Sequence, residues 1–174
     1  MNNISIIPIK NLPEFAPKHD LADEIIKSFS SNNFVLEDKD VIVITQKIVS
    51  KVEDRLIKND NESIEKLIQQ ESLEILRKRG DTVIARTKHG FICANAGIDK
   101  SNIEKGSVLL LPEDPDKTSR DIRKKIEHVT NKKISIIISD TFGRAWRKGQ
   151  TNVAIGSSGI QPLESYIGEK DAFD

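Results

Sequence analysis

Short runs of apolar residues alternate along the chain with polar segments that are rich in turn-forming residues. The clearest run is Val41–Ile44, four consecutive β-branched residues, which is typical of a strand buried on both faces. Ile134–Ile138 has a similar character, and we expect this second buried strand to end abruptly before Ser139 and Asp140. The same pattern predicts further strands at Ile4–Ile9, Thr82–Arg86, Phe91–Ala94, Val108–Leu111 and Val153–Gly156.

Helical periodicity is found in other parts of the chain. Asp20 is a suitable N-cap for a helix over Leu21–Phe29, in which apolar side chains recur on one face. Ser63–Arg79 reads as the clearest helix, because its apolar residues recur at helical spacing opposite a charged face and Gly80 closes it. A basic helix is predicted at Thr118–Val129.

The order of these elements indicates the fold class. Thr87–Gly90 has turn character between two predicted strands, so a β-hairpin is expected there. Other strands are connected by helices. The mixture favours an α+β fold with mixed or antiparallel sheets and flanking helices, rather than one doubly wound parallel sheet. A length of 174 residues fits a single region.

Charge and composition exclude several classes of protein. The 27 basic residues balance the 27 acidic ones, so no overall field favours nucleic acid or a membrane surface. No apolar run approaches the roughly 20 residues that a membrane helix needs, and the first residues do not form a signal peptide. Cys93 is the only cysteine, which fits a reducing compartment. We therefore expect a cytoplasmic globular protein.

Two aspartates are candidate metal ligands. Asp99 lies in an Asn-Ala-Gly loop, and Asp140 and Thr141 follow the second buried strand. Ionised carboxylates beside apolar strands are costly unless a partner offsets the charge. Mg²⁺ and Mn²⁺ favour oxygen ligands, often one or two carboxylates with phosphate oxygens, to which a hydroxyl can be added. The competing interpretation is that Asp99 caps its own turn and Asp140 pairs with Arg144.

Basic residues near these aspartates are candidate anion receptors. Lys47 and Lys51 lie one helical turn apart after the first buried strand, so both could face one phosphate group. Arg144, Arg147 and Lys148 follow Asp140, and guanidinium groups bind phosphate or carboxylate in a bidentate manner. A solvated helix face and an ordinary basic loop are the alternatives. No Gly-x-x-x-x-Gly-Lys loop is present, which excludes P-loop chemistry.

Two other reactive side chains are given structural interpretations. Cys93 lies in an apolar strand and is interpreted as a core residue, with no local signature of a nucleophile. His89 lies in the predicted turn and is interpreted as a surface histidine rather than a ligand.

Several segments together resemble one enzyme family. The segments are Ile6–Ile9 with Leu12 and Pro13, Val43–Lys51, His89–Asp99, Leu111–Asp116, Asp140–Thr151 and Ala154–Gly156. In this order they resemble the coenzyme F-420-0:L-glutamate ligases, also called F-420 (F420) gamma-glutamyl ligases. One block alone has low specificity, whereas the ordered set spans nearly the whole chain.

The resemblance implies a GTP-dependent ligase of coenzyme F-420 biosynthesis, with an α+β fold of its own and an intertwined homodimer. Such an enzyme adds L-glutamate to the carboxylate of the deazaflavin F-420-0 through an acyl phosphate. Mg²⁺ or Mn²⁺ is the implied metal, and K⁺ is a further candidate cation. Carried over to this sequence, the metal ligands are Asp99, Asp140 and Thr141, the nucleotide-binding residues are Lys10, Asn11, Leu12, Pro13, Thr45, Gln46, Lys47, Lys51 and Asn102, and the catalytic arginines are Arg144 and Arg147.

The resemblance also implies a departure at the C-terminus. Members of the family continue beyond the motif matched by Asp171–Phe173, into a segment with further nucleotide contacts and a second metal ligand. We therefore expect the ligase region to be incomplete and its activity alone to be low. The alternatives are a metal-dependent nucleotide phosphohydrolase and a non-catalytic module that binds nucleotide or deazaflavin.

Overall fold

The computed structural model describes residues 4–58, 64–101, 103–143 and 148–170. The helices are α1 (Leu21–Ser31), α2 (Gln46–Val52), α3 (Ile64–Gln70) and α4 (Pro115–Thr130), with a short 3₁₀ turn at Asn95–Gly97. The strands are β1 (Val41–Thr45), β2 (Leu56–Lys58), β3 (Ser72–Arg79), β4 (Thr82–Thr87), β5 (Ile92–Ala94), β6 (Ser107–Leu109), β7 (Ser135–Gly143) and β8 (Gln150–Ser158). This combination confirms the predicted α+β class. No helix in the described ranges is long and apolar enough to cross a membrane.

The main sheet has the order β1-β7-β8, with β1 parallel to β7 and β8 antiparallel to β7. Helix α4 packs against β7 and β8, and α1 packs against α4. Ile44, Ile136 and Ile138 face the core between them. The prediction that Val41–Ile44 is buried on both faces is wrong, since Val41 and Val43 are 46% and 62% exposed. Within the described ranges, helices cover only one face of this edge strand.

Strand β7 extends further than its sequence predicts. Parallel pairing with β1 stops at Thr45 and Ser139, but the antiparallel ladder with β8 continues to Gly143 and Gln150. The expected end before Asp140 is therefore wrong. Polar residues can continue a strand when a partner supplies the backbone hydrogen bonds. Asp140 thus lies inside β7, immediately beyond the end of its parallel pairing.

The predicted helix over Ser63–Arg79 is largely wrong. Only α3 is helical, and the second half is β3, which pairs antiparallel with β4. Gly80, with φ of 57°, occupies a two-residue turn between the paired residues Arg79 and Thr82. Gly-Asp is a hairpin signal of this length, so Gly80 belongs to a turn rather than a helix cap. The spacing of apolar residues in this segment did not distinguish a helix from a strand. Backbone pairing with β4 stabilises the strand in its second half.

The remaining hairpin and the α1 cap agree with the sequence. Strands β4 and β5 pair antiparallel, and the turn between them is closed by hydrogen bonds from Thr87 N to Phe91 O and from Gly90 N to Thr87 O. Asp20 accepts a hydrogen bond from Asp23 N at 3.1 Å and caps α1. The hairpin carries the chain into the loop that holds Asp99.

The expected strand at Ile4–Ile9 is wrong. These residues have no strand assignment, and Ile4 and Ile6 are each 93% exposed. The segment is held at its end by Asn32, which accepts from Lys10 N at 3.0 Å and donates to Lys10 O at 2.9 Å. A strand requires a neighbouring strand, and none of the described strands pairs with this segment.

Candidate functional site

A cavity of about 440 Å³ opens where the parallel pairing of β1 and β7 ends. Residues from the start of α2, from β5 and its following loop, and from the far half of β7 converge on it. The lining residues are Thr45, Gln46, Lys47, Cys93, Ala94, Gly97, Ile98, Asp99, Ser101, Asp140, Thr141, Phe142, Gly143 and Gln150. The edge at the carboxyl ends of parallel strands is a common ligand position in α/β sheets.

The three candidate metal ligands, Asp99, Asp140 and Thr141, all line this cavity. Asp99 and Asp140 are separated by 41 positions in sequence, from 99 to 140, and the two carboxylates interact electrostatically. The fold therefore brings to one cavity residues that are far apart in sequence and that the sequence analysis named as candidate metal ligands.

The loop carrying Asp99 is fixed by its backbone and its side chain. Asp99 and Leu109 exchange two backbone hydrogen bonds of 2.9 Å, which tie the loop to the end of β6. The carboxylate accepts from Ser101 N at 2.7 Å and from Lys47 Nζ. Burial works to raise the pKa of Asp99, but the hydrogen bonds from Lys47 and Ser101 lower it by more, so its pKa lies below the ordinary value. Asp99 is accordingly ionised at neutral pH.

Asp140 is in a different environment. Burial is the largest influence and raises the pKa of its carboxyl; a backbone hydrogen bond from Thr141 opposes it, the negative charge of Asp99 raises the pKa further, and Lys47 lowers it slightly, so the pKa lies above its ordinary value. None of the ion pairs between described residues includes Asp140. An ionised carboxylate in this position lacks a close cationic partner within the described part of the chain.

This donor set fits a divalent cation. Two carboxylates and a hydroxyl provide oxygen ligands of the kind that Mg²⁺ and Mn²⁺ prefer, with positions left for phosphate oxygens and water. Among the described residues no group of three or more His, Cys, Asp or Glu could hold a metal by itself.

The two candidate lysines contact different acidic residues. Lys47 Nζ donates to Asp99 and to the backbone and side-chain oxygens of Ser101, at 3.2 and 3.0 Å. Lys51 Nζ lies 3.2 Å from Glu14, whose side chain is 93% exposed. Lys47 lines the cavity and Lys51 does not. Their joint contact with one phosphate group remains a prediction.

The other nucleotide-binding candidates are dispersed. Thr45 and Gln46 line the cavity, but the buried Gln46 amide donates to Ser50 Oγ at 2.8 Å and to Leu110 O at 3.1 Å. Lys10, Asn11, Leu12 and Pro13 are described and do not line it. Asn102, Arg144 and Arg147 lie outside the described residues.

Sequence reasoning gave no role to Phe142 or Gln150, which also line the cavity. Gln150 lies opposite Gly143 in the β7–β8 ladder. Both belong to the segment Asp140–Thr151, which resembles the family, and this resemblance is the feature of the sequence that could have indicated a role for them. Their proximity to Asp140 depends on β7 continuing beyond its apolar residues, which the apolar pattern did not indicate.

Cys93 and His89 support one wall of the cavity. Burial first, and then the charge of Asp140, raise the pKa of the Cys93 thiol to about 11, so it stays protonated and confirms the core interpretation. The expectation that His89 is a surface residue is wrong: it is half-buried, and its Nε2 lies 2.8 Å from Pro112 O. His89 stacks on Phe91, which contacts Phe142 edge-on.

Comparisons with known proteins agree with the resemblance. A sequence model of the family described as F420-0:Gamma-glutamyl ligase matches residues 10–174. The chain is 44% identical over 159 residues to a Coenzyme F420:L-glutamate ligase of Methanococcus maripaludis, an alignment that covers 82% of this chain and 64% of the relative. It is 35% identical over 187 residues to the enzyme of the same name from Methanothermobacter thermautotrophicus, covering 98% of the chain and 74% of the relative. For the Methanocaldococcus jannaschii enzyme the identity is 42% over 157 residues, covering 80% and 63%. The chain thus spans less than two thirds of the length of the first of these relatives.

Proposed function

The chain belongs to the F420-0:gamma-glutamyl ligase family, and on that premise we propose that it joins L-glutamate to F420-0 through an amide bond. The observation that supports this most is the single cavity that Asp99, Asp140 and Thr141 all line. Two converging carboxylates and a hydroxyl suit the binding of a cation with a phosphorylated substrate.

The reaction requires activation of a carboxylate, which is a poor acylating agent. In the proposed sequence the F420-0 carboxylate attacks the γ-phosphorus of GTP, and the bond to the β-phosphate oxygen breaks to release GDP. The amine of glutamate then attacks the acyl carbon of the resulting acyl phosphate. Phosphate leaves, the amine loses a proton, and an amide remains. Enclosure of the cavity would protect the acyl phosphate from water.

The residues of the chain would hold and orient these groups. Asp99, Asp140 and Thr141 would hold Mg²⁺ or Mn²⁺, which when bound would offset negative charge on the phosphate oxygens. Lys47 and Ser101 fix the Asp99 carboxylate before any ligand arrives. Ordering of this kind lowers the cost of assembling the site in the transition state.

Cationic side chains would bind the substrate anions. Lys51 carries a charge whose present partner, Glu14, is almost fully exposed, so a phosphate could replace that contact at little cost. Arg144 and Arg147 remain the proposed anion receptors beside the transferred phosphoryl group, and GTP, glutamate and F420-0 remain the proposed ligands. A homodimer is proposed on the family resemblance.

The decisive experiment supplies the chain with GTP, Mn²⁺, L-glutamate and F420-0 and detects the product by mass spectrometry. We expect glutamyl-F420-0 to form slowly, together with GDP and phosphate, and to be absent when glutamate is omitted. Asp140→Asn should abolish all three products. GTP turnover that needs neither glutamate nor F420-0 would indicate a metal-dependent phosphohydrolase instead, and binding without turnover would indicate a nucleotide- or deazaflavin-binding module.

A further inference from the structure

The two carboxylate oxygens of Asp99 have different partners. Oδ1 accepts a hydrogen bond from the Ser101 backbone N–H at 2.7 Å, whereas Oδ2 accepts from the Lys47 ammonium. The backbone of Asp99 is held separately, by its two hydrogen bonds with Leu109. Loss of the Lys47 contact would therefore leave Asp99 in place, because Oδ1 and the backbone keep their partners.

The Lys47 ammonium places a positive charge from the chain itself beside the candidate metal ligands. It forms an ion pair with Asp99 in which both side chains are partly buried, and its charge also acts, more weakly, on Asp140. Its other hydrogen bonds go to Ser101 O and Oγ, at 3.2 and 3.0 Å. An ammonium has three protons to donate, so these three acceptors match its donors in number.

A divalent cation held by Asp99 would compete with this ammonium. Mg²⁺ and Mn²⁺ prefer carboxylate oxygens, and Oδ2 is the oxygen of Asp99 that the Ser101 backbone does not hold. Two cations beside one carboxylate repel each other, and in a partly buried site they do so more strongly than in water. We propose that Lys47 is a built-in counter-ion of Asp99, which a divalent cation must displace, so that Lys47 weakens the binding of the free metal. This inference rests on the metal site of the proposed function.

A nucleotide that accompanies the metal would give the displaced ammonium a new partner. Phosphate oxygens accept charge-assisted hydrogen bonds from lysine. Such a contact would replace the ion pair with Asp99, so the cost of displacement would be offset for a metal–nucleotide complex and not for the free metal. Lys47 would thereby couple the binding of the two ligands, each raising the affinity for the other.

A role of Lys47 in ordering Asp99 predicts the opposite result. If Lys47 only held the carboxylate in place, removing it would weaken the binding of the free metal. If Lys47 is a competing counter-ion, removing it strengthens that binding, since Ser101 still orders the carboxylate. The sign of the change in metal affinity therefore distinguishes the two roles without reference to catalysis.

The test measures Mn²⁺ binding to the 174-residue chain, without nucleotide, from the electron paramagnetic resonance signal of free Mn²⁺. Lys47→Met removes the charge and keeps the approximate length of the side chain, and we expect its Mn²⁺ affinity to rise roughly tenfold or more. Lys47→Arg retains the charge and should bind Mn²⁺ no more tightly than the wild type. Lys100→Met removes an equal charge next to Asp99 in sequence, from an exposed residue that does not line the cavity, and should change the affinity much less.

A second titration, with GDP present, measures the coupling. We expect GDP to raise the Mn²⁺ affinity of the wild type by a larger factor than that of Lys47→Met, after correction for the Mn²⁺ that GDP binds in the absence of the chain. Urea denaturation checks that each variant is folded.

The outcomes separate this inference from the proposed function. If the wild type binds Mn²⁺ and Lys47→Met binds it equally or more weakly, the counter-ion role is wrong and the metal site stands. An equal gain in Lys100→Met would also overturn that role, because any nearby positive charge would then have the same effect. An equal effect of GDP on the wild type and Lys47→Met would overturn the coupling. If neither of these two chains binds Mn²⁺, the metal site is wrong, and this inference fails with it.

Discussion

At the residue scale, Asp140 combines an unfavourable position with a proposed function. Burial and the charge of Asp99 raise its pKa, so the ionised form is disfavoured while the cavity holds no cation. Buried ionisable residues with a shifted pKa are often found at sites where a ligand requires their charge. We therefore propose that Asp140 contributes more to ligand binding than to folding.

Asp140→Asn tests this division, because it removes the charge at nearly constant shape. We expect Mn²⁺-dependent GTP binding to weaken by at least tenfold, about 1.4 kcal/mol, while the free energy of unfolding remains unchanged or rises. Calorimetric titration and urea denaturation provide the two measurements. Strong destabilisation with unchanged binding would contradict the metal-ligand role and favour a structural one.

Lys51 allows a similar separation of binding from stability. Its ion pair with the exposed Glu14 should contribute little to folding. If Lys51 binds a phosphate, Lys51→Ala should lose about 1.5–3 kcal/mol of GDP binding, roughly 10- to 150-fold in affinity, at one fixed salt concentration. Lys27→Ala, which removes a lysine on the exposed surface of α1, serves as the matched control. Equal GDP affinities of the two variants would show that Lys51 is an ordinary surface lysine that does not contact the phosphate.

At the element scale, the start of α1 depends on its cap. Asp20 accepts from Asp23 N and also pairs with Lys125 on α4, at 2.6 Å, so it connects the two helices. Asp20→Ala should lower the free energy of unfolding by about 1 kcal/mol, because a helix N–H loses its acceptor. Asp20→Asn retains the cap and should lose only the small contribution of an exposed ion pair. Thermal denaturation of both variants separates the contribution of the cap from that of the ion pair. If Asp20→Ala and Asp20→Asn lower the free energy of unfolding equally, the stabilisation comes from the ion pair with Lys125.

The junction of α4 and β7 is predicted to be sensitive to acid. Burial works to raise the pKa of Glu127, but the Ile134 N–H and the charges of Arg123 and Lys133 lower it by more. A carboxylate with a lowered folded-state pKa stabilises the fold above its unfolded pKa, near 4.3, and this stabilisation is lost as the pH falls through the folded value.

Glu127→Gln removes this titration and keeps the shape of the side chain. Its unfolding free energy should therefore lie below that of the wild type near neutral pH and approach it as the pH falls below about 5 and through the lowered pKa of Glu127. Urea denaturation at a series of pH values measures the difference. If the difference in unfolding free energy between the wild type and Glu127→Gln does not depend on pH, the charge of Glu127 does not contribute to it.

At the scale of the whole molecule, strand β3 exposes a large apolar surface. Leu73, Ile75 and Leu76 are 67%, 43% and 41% exposed on a strand at the edge of its sheet. Such edges readily pair with another chain, and contiguous apolar surface is usually covered by a partner. We expect the chain to self-associate through β3.

Leu76→Lys should shift sedimentation velocity profiles towards the monomer, whereas Leu163→Lys, at another exposed position, should not. Identical profiles for the two variants would place the contact elsewhere.

The sequence by itself determined the elements that depend on local interactions. Asp20 as a cap, the apolar face of α1, the β4–β5 hairpin and the core position of Cys93 each follow from neighbours within a few residues. Residue chemistry and the family resemblance both indicated Asp99, Asp140 and Thr141 as candidate metal ligands, although no spacing rule connects them.

Only the tertiary structure decided the features that depend on a distant partner. Helical spacing over Ser63–Arg79 was compatible with two conformations, and the pairing of β3 with β4 selected the strand. Strand β7 continues through Asp140 because β8 supplies its hydrogen bonds, and a bulge in β8 sets Asn152 opposite Thr141. Backbone hydrogen bonds between strands join residues far apart in sequence, so apolar periodicity along one segment carries no information about them.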